Sequence, residues 1–255
     1  MLEIDIARKS YPDRGGRAHL ALAGLALKPR VGELVCVVGP SGCGKSTLLN
    51  IVGGLDRDFE GWVTHEGVPP DDIGFMFQEP RLMPWLSVLD NVLLVARAAH
   101  DARARAIALL EAMELGDVLD AFPGRLSGGM QRRVALARAF VNEPSLMLMD
   151  EPFVSLDAPT AQRLREMFVS LWQRSGATVL FVTHDLREAL SLADRVCFLS
   201  GSPGRVVLDL PIELERPRKP DDVAVLALQA RLLERFPELL AGLAPAAETG
   251  ASIDA

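Results

Sequence analysis

The nine residues from Gly39 to Thr47 are of types and at a spacing that imply chemistry. Gly39, Pro40, Ser41, Gly42, Cys43, Gly44, Lys45, Ser46 and Thr47 fit the pattern G-x-x-x-x-G-K-[ST] and directly follow the apolar run from Leu34 to Val38. The glycines let successive backbone N–H groups curl around a phosphate. A helix starting near Lys45 points its unpaired N–H groups and positive dipole end at the same anion. Lys45 then reaches the β- and γ-phosphates of a nucleotide, Ser46 supplies a hydroxyl ligand for Mg²⁺, and Thr47 contacts phosphate oxygens. Cys43 sits near that helix N-terminus, where a thiol pKa can fall, so alkylation of Cys43 is expected to inhibit and a bound nucleotide to protect.

Two further strand ends carry candidate groups. The run before Asp150 and Glu151 is apolar from Leu146 to Met149. A buried strand that ends in a carboxylate delivers a metal ligand to the C-terminal edge of an α/β sheet, which is the role expected of Asp150. Glu151 follows immediately and points another way, which suits a general base acting on water beside the γ-phosphate. A third apolar run, Thr178 to Thr183, ends in His184, placed to hydrogen-bond the γ-phosphate or the attacking water.

These groups need a sheet whose strands end together. The apolar runs at 34–38, 146–149 and 178–183, with helical periodicity over much of 86–141 and over 158–175, predict a mainly parallel sheet covered by helices. The first 33 residues and the stretch from Gly61 to Phe77 read as short antiparallel strands, a β lobe beside that core. Residues 86–135 read as a helical insertion able to move separately. After residue 215 an amphipathic helix is expected from about Asp222 to Leu240, with Leu228, Leu232 and Phe236 on one face, and then a frayed tail.

Composition narrows the class. The chain has 255 residues, 49% apolar and 24% charged, enough for a core of its own. Its net charge of −7 has the wrong sign for a nucleic-acid partner. No apolar run approaches the roughly 20 residues that cross a bilayer, and the opening Met-Leu-Glu-Ile-Asp-Ile carries no secretory signal pattern, so a cytosolic chain is expected. The three cysteines, Cys36, Cys43 and Cys197, are too scattered for a zinc or disulfide framework and fit a reducing compartment.

A second anion socket stands at Ser127, Gly128 and Gly129, ahead of the helical run from Gln131 to Arg138: Ser127 can cap the helix while the glycines expose N–H groups. A single nucleotide does not need two sockets from one chain. The phosphate loop, Gln78, the run from Leu126 to Met130, Asp150 with Glu151, the run from Ser155 to Asp157, and His184 occur in that order along the chain, and over residues 1–215 it resembles ABC transporter ATP-binding subunits. The resemblance implies an α/β P-loop core with a mixed, mainly parallel sheet, an antiparallel β lobe and an inserted helical subdomain. It also implies a head-to-tail homodimer in which each ATP lies between one phosphate loop and the partner's Ser-Gly-Gly helix. By the same resemblance Tyr11 stacks on adenine, Gln78 meets Mg²⁺ or the water, and Asp157 lies across the dimer interface. Met130 stands where many members have Gln, so no side-chain role passes to it.

The segment from Gln78 to Asn91 resembles the nitrate, sulfonate and taurine importer subgroup. In that subgroup it receives a helix of a two-part permease, with Arg81, Met83 and Trp85 as the anchors expected here. The implied activity is ATP hydrolysis that drives uptake of a small anionic solute at the cytoplasmic face of the membrane, with a solute-binding protein as an indirect partner. The alternatives are an exporter or lipoprotein-release ATPase, a soluble ABC ATPase acting on DNA or ribosomes, and a P-loop kinase; the last leaves residues 127–129 unexplained.

Overall fold

Every residue from Leu34 to Val38 is buried, and five consecutive buried apolar residues make a strand only where neighbours cover both of its faces. This strand, β3, is the centre of the first of two units in a computed structural model that describes residues 2–12, 18–69, 72–98, 100–243 and 248–249. One unit comprises residues 1–70 and 178–255, the other residues 71–177.

In the first unit β3 lies between two parallel partners, β7 (Thr178–Thr183) and β8 (Arg195–Leu199). β9 (Val206–Pro211) runs antiparallel to β8, and β10 (Glu248–Thr249) adds a two-residue parallel strand to β9. A separate antiparallel sheet has the order β2 (Ala18–Leu27), β1 (Leu2–Pro12), β4 (Glu60–His65). Alternation along β1 buries Ile4 and Ile6, as a sheet with one covered face requires. The helices of this unit are α1 (Lys45–Val52), α6 (Leu186–Leu192) and α7 (Val223–Arg235). α7 buries Val225, Leu228 and Leu232 at the i, i+3, i+7 spacing of an amphipathic helix.

The second unit contains the parallel pair β5 (Ile73–Met76) and β6 (Leu146–Asp150) and the helices α2 (Val88–Leu93), α3 (Ala102–Ala112), α4 (Gly128–Phe140) and α5 (Ala158–Ser175). α5 shows how the sequence sets a helix. The Asp157 side chain caps its first turn, a proline stands in that turn, and Gly176 ends it in the left-handed conformation. Its inner face buries Leu164, Met167, Phe168, Leu171 and Trp172, and the Phe168 ring tilts against Phe140 and Phe153 with centroids 6.3 Å away in each case.

Three expectations need correction. The stretch from Gly61 to Phe77 is not uniformly antiparallel: β4 is, but β5 pairs in parallel with β6, because the chain from β5 to β6 passes through α2, α3 and α4 rather than a hairpin. The last long helix stops at Arg235, and Phe236 is its half-buried cap rather than part of the apolar face. Most of the expected frayed tail lies outside the described residues, while Glu248 and Thr249 pair with β9.

A buried ion pair ties β1 to the loop after α1. Lys9, 3% exposed, donates from Nζ to Asp56 Oδ1 at 2.8 Å, and the Tyr11 hydroxyl donates to Asp56 Oδ2 at 2.8 Å. Burial works to raise the Asp56 pKa, but hydrogen bonds from Lys9, Tyr11 and the Asp58 N–H outweigh it and hold the carboxyl below its ordinary range. A depressed carboxyl contributes stability above its unfolded pKa of about 3.9, and that contribution is lost as pH falls through the folded value. Asp56→Asn should therefore cost roughly 2–3 kcal/mol in urea unfolding near neutral pH. Its deficit against the parent chain should shrink at pH about 3, and a deficit independent of pH would remove the charge from this account.

Candidate nucleotide-binding site

Gly44, at φ 97°, ends the loop before α1 in the left-handed conformation, and no side chain caps that helix. The first intrahelical bond runs from the Leu48 N–H to the Gly44 carbonyl at 2.9 Å, so the N–H groups of Lys45, Ser46 and Thr47 have no helical acceptor. Lys45 is 6% exposed and donates from Nζ to the carbonyls of Gly39 at 2.8 Å and Pro40 at 3.0 Å, holding the loop curled. A curled loop with a buried ammonium and an open helix N-terminus is a cradle for phosphate. Cys43 contributes only backbone to it. Its side chain is 1% exposed, so the expected alkylation is not supported by the thiol's burial.

Register brings two expected residues to one edge. Val38 pairs with Thr183 across β3 and β7, so the chain leaves both strands together, into Gly39 and into His184. His184 is exposed, and the turn that carries it is set by its neighbours. The Asp185 N–H donates to Thr183 Oγ1 at 3.0 Å, and the Asp185 carboxylate accepts from the N–H groups of Arg187 and Glu188. Tyr11 approaches the same loop, since its hydroxyl also engages Thr47. Its pKa is raised, first by burial and then by Asp56.

The second unit assembles the other expected residues. Met76 pairs with Met149, so Gln78 and the Asp150–Glu151 pair leave β5 and β6 at the same end. Asp150 is 9% exposed, and Glu151 has φ 43°, a left-handed conformation that a non-glycine residue adopts at an energetic cost of about 1–3 kcal/mol. Ser127 accepts from the Met130 N–H at 3.2 Å and caps α4, leaving Gly128 and Gly129 in its first turn. A Cβ on Gly129 would lie 2.6 Å from Thr160 Cγ2. Thr160 in turn donates to Asp157 through its N–H and its hydroxyl, which hold the exposed Asp157 carboxyl below its ordinary pKa. The Ser-Gly-Gly turn and Asp157 are therefore neighbours.

Arg132 was not singled out from the sequence. It is 8% exposed, and one Nη donates to the Gln78 carbonyl at 2.8 Å and to the Pro152 carbonyl at 2.9 Å. It thus joins the Gln78 loop to the turn after Glu151 from the helix that begins at the socket. The next residue, Arg133, reaches the Met113 carbonyl and Glu114 instead, so the two adjacent arginines differ only in which helix face they occupy. That spacing is the one signal the sequence held.

A cavity of about 380 Å³ in this unit is lined by Phe75, Phe77, Arg81, Met83, Val95 and Arg138 among others. Arg138 donates to the carbonyls of Pro80 at 2.6 Å and Arg81 at 2.9 Å, and the Arg81 guanidinium lies 4.0 Å over the Phe77 ring. Trp85 is 71% exposed. Among the described residues no helix is long and apolar enough to cross a membrane.

A phosphate loop that ends a buried central strand and opens a helix is the defining feature of P-loop NTPases, and the chain is one of them. A family model described as ABC transporter matches residues 22–154. The chain is 45% identical over 240 residues to an aliphatic sulfonates import ATP-binding protein, SsuB 2, of Burkholderia cenocepacia (strain HI2424), covering 92% of this chain and 87% of the relative. It is 42% identical over 234 residues to SsuB 1 of Pseudomonas savastanoi pv. phaseolicola, covering 91% and 94%. Among solved structures, a dimer of the ATP-binding cassette MJ0796 in a post-hydrolysis state with ADP and Pi is similar, with 34% identity, a TM-score of 0.72, and coverage of 86% of this chain and 100% of the other. The chain belongs to the ABC transporter family of ATP-binding subunits, and as such it is an ATP-hydrolysing, energy-coupling subunit.

Replacing Arg132 by Leu strands two main-chain carbonyls. Urea unfolding should register a loss of roughly 2–4 kcal/mol. Hydrogen exchange should rise together in the Gln78 and Pro152 loops, and protection unchanged in either would separate that loop from Arg132.

Proposed function

We propose that the chain powers an importer of aliphatic sulfonates or closely similar small organic anions. It acts as a homodimer at the cytoplasmic face of the membrane, with a two-part permease and, indirectly, a solute-binding protein. The observation that carries this reading is the 45% identity, over 92% of the chain, to a sulfonate import ATP-binding protein. The groove lined by Arg81 and Met83 receives a permease helix, and Trp85, two residues on and exposed, adds an apolar contact.

In this reading each copy lends its Ser127–Gly129 turn to the ATP held by its partner's phosphate loop, and Asp157, beside that turn, faces the same interface. Tyr11 stacks on the adenine. Backbone N–H groups from Gly39 to Thr47 and the Lys45 ammonium take the triphosphate oxygens. Ser46, Gln78 and Asp150 offer hard oxygen donors of the kind Mg²⁺ prefers, and the bound ion compensates phosphate charge. Glu151 accepts a proton from water as the water oxygen bonds to the γ-phosphorus and the bond to the β-phosphate oxygen breaks. Gln78 orients that water, and His184 hydrogen-bonds a γ-phosphate oxygen. ATP closes the pair and exposes the permease cavity outward, and loss of phosphate reopens it.

Two measurements test this. Rebuilt with its permease and binding protein in proteoliposomes, the chain should hydrolyse ATP faster when an alkanesulfonate is enclosed with the binding protein. Stimulation by nitrate alone would redirect the solute. Glu151→Gln should bind ATP normally, slow hydrolysis about 10²–10⁴-fold and accumulate as a dimer in light scattering. Parent-level turnover in that variant would take the base role from Glu151.

A further inference from the structure

The phosphate loop leans on a wall that the sequence motif does not include. Behind it lies the turn between β8 and β9, residues 200–205. Gly204 in this turn donates its N–H to the Ala21 carbonyl at 2.8 Å and accepts from the Ala23 N–H at 3.1 Å, stitching the turn to β2 of the other sheet. The Ser202 hydroxyl adds a bond to the Leu20 carbonyl at 3.0 Å, and Ser200 closes the turn on itself through the Pro203 carbonyl at 2.7 Å and the Arg205 N–H at 3.0 Å.

Three contacts pass from this wall to the loop. A Cβ on Gly204 would lie 2.1 Å from the Cys43 carbonyl oxygen. A Cβ on Gly44 would meet Leu22 Cδ2 at 2.6 Å and the Ala21 carbonyl at 3.0 Å, and one on Gly39 would meet the Leu199 Cβ at 3.1 Å. The loop and its wall are therefore closely packed at Gly39 and again at Cys43 and Gly44. At Gly204 the obstacle is a main-chain oxygen, which has no rotamer by which to retreat. The φ of Gly204 is not in the left-handed region, so the need for glycine there is one of space alone.

We propose that Gly204 is a positioning residue for the nucleotide: with Ala21, Leu22 and Leu199 it forms a rear support that keeps the loop from Gly39 to Gly44 in its phosphate-binding curl. Displacing the Cys43 carbonyl by the ångström or more that a methyl group demands rotates the neighbouring peptides, and with them the N–H groups that take phosphate. The support extends outward to the segment after α7. The Gly201 N–H donates to the Gly242 carbonyl at 3.1 Å, and a Cβ on Gly242 would lie 2.2 Å from the Gly201 nitrogen. Pressure on this end of the turn is transmitted to Gly204 from the side opposite the nucleotide.

The proposal rests on the nucleotide reading of the loop, and the experiment separates the two. MgADP affinity is measured by titration calorimetry for the parent chain, Gly204→Ala, Gly242→Ala and Gly201→Ala. The last is the control within the same turn, because a Cβ on Gly201 meets nothing within 4 Å. Gly204→Ala should raise Kd roughly ten-fold or more, Gly242→Ala by about three-fold, and Gly201→Ala by less than about two-fold. In steady-state hydrolysis Gly204→Ala should raise KM for ATP while kcat at saturation stays within about three-fold. A purely structural role would instead lower the melting temperature and leave Kd of the folded fraction unchanged. If Gly204→Ala does not fold, the Gly242 and Gly201 pair decides by the same contrast, with the melting temperature separating the backbone strain of an alanine at Gly242, whose φ is 73°, from a change in Kd of the folded protein. Equal Kd for the parent chain and the position 204 variant, or equal weakening at positions 201 and 242, overturns the proposal. A parent chain that leaves MgADP unbound overturns the nucleotide reading and this proposal with it.

Discussion

A loop that binds phosphate through its backbone must hold several N–H groups in one direction while denying them partners of their own. Curvature of that kind is not stable in isolation, since a free chain would satisfy those donors with water or with its own carbonyls. In this protein the curl is maintained from three sides. The Lys45 ammonium grips the Gly39 and Pro40 carbonyls from within, α1 continues the chain ahead, and β2 with the β8–β9 turn closes it from behind. The buried strand β3 delivers the loop, and the left-handed Gly44 lets it become a helix. The packing that holds the curl thus comes largely from residues outside the motif.

Much of the architecture was readable as pattern. The runs at 34–38 and 178–183 are strands with those bounds, the run at 146–149 extends one residue into Asp150, and α5 occupies 158–175. These succeed because their signals are local: unbroken apolar runs for buried strands, a 3.6-residue period for the helix, and Asp157 and Gly176 at its ends. Strand direction is not local. Residues 73–76 carry a period of two that fits either orientation, and only the route of the following chain makes β5 parallel to β6. The candidate site divides in the same way. The phosphate loop, Asp150, Glu151 and His184 could be named because each follows an apolar run, and Tyr11, Gln78 and Asp157 by resemblance, whereas Arg132 and Gly204 act through main-chain atoms far along the chain, and contacts of that kind leave no periodicity.

The residues proposed for the site are divided between two units. Tyr11, the phosphate loop and His184 belong to one, and Gln78, Ser127–Gly129, Asp150, Glu151 and Asp157 to the other. Within each unit the local order is strict. Paired register carries Gly39 and His184 off adjacent strands in one, and brings Gln78 and Asp150 to one end of adjacent strands in the other.

The arginine at the base of α4 has a different kind of consequence. Arg132 grasps oxygens that every amino acid carries, at Gln78 and at Pro152, and so makes no demand on the side chains of those two positions. The side chains of those loops can then differ while the linkage beneath them persists, much as a chassis accepts different bodywork bolted to the same frame.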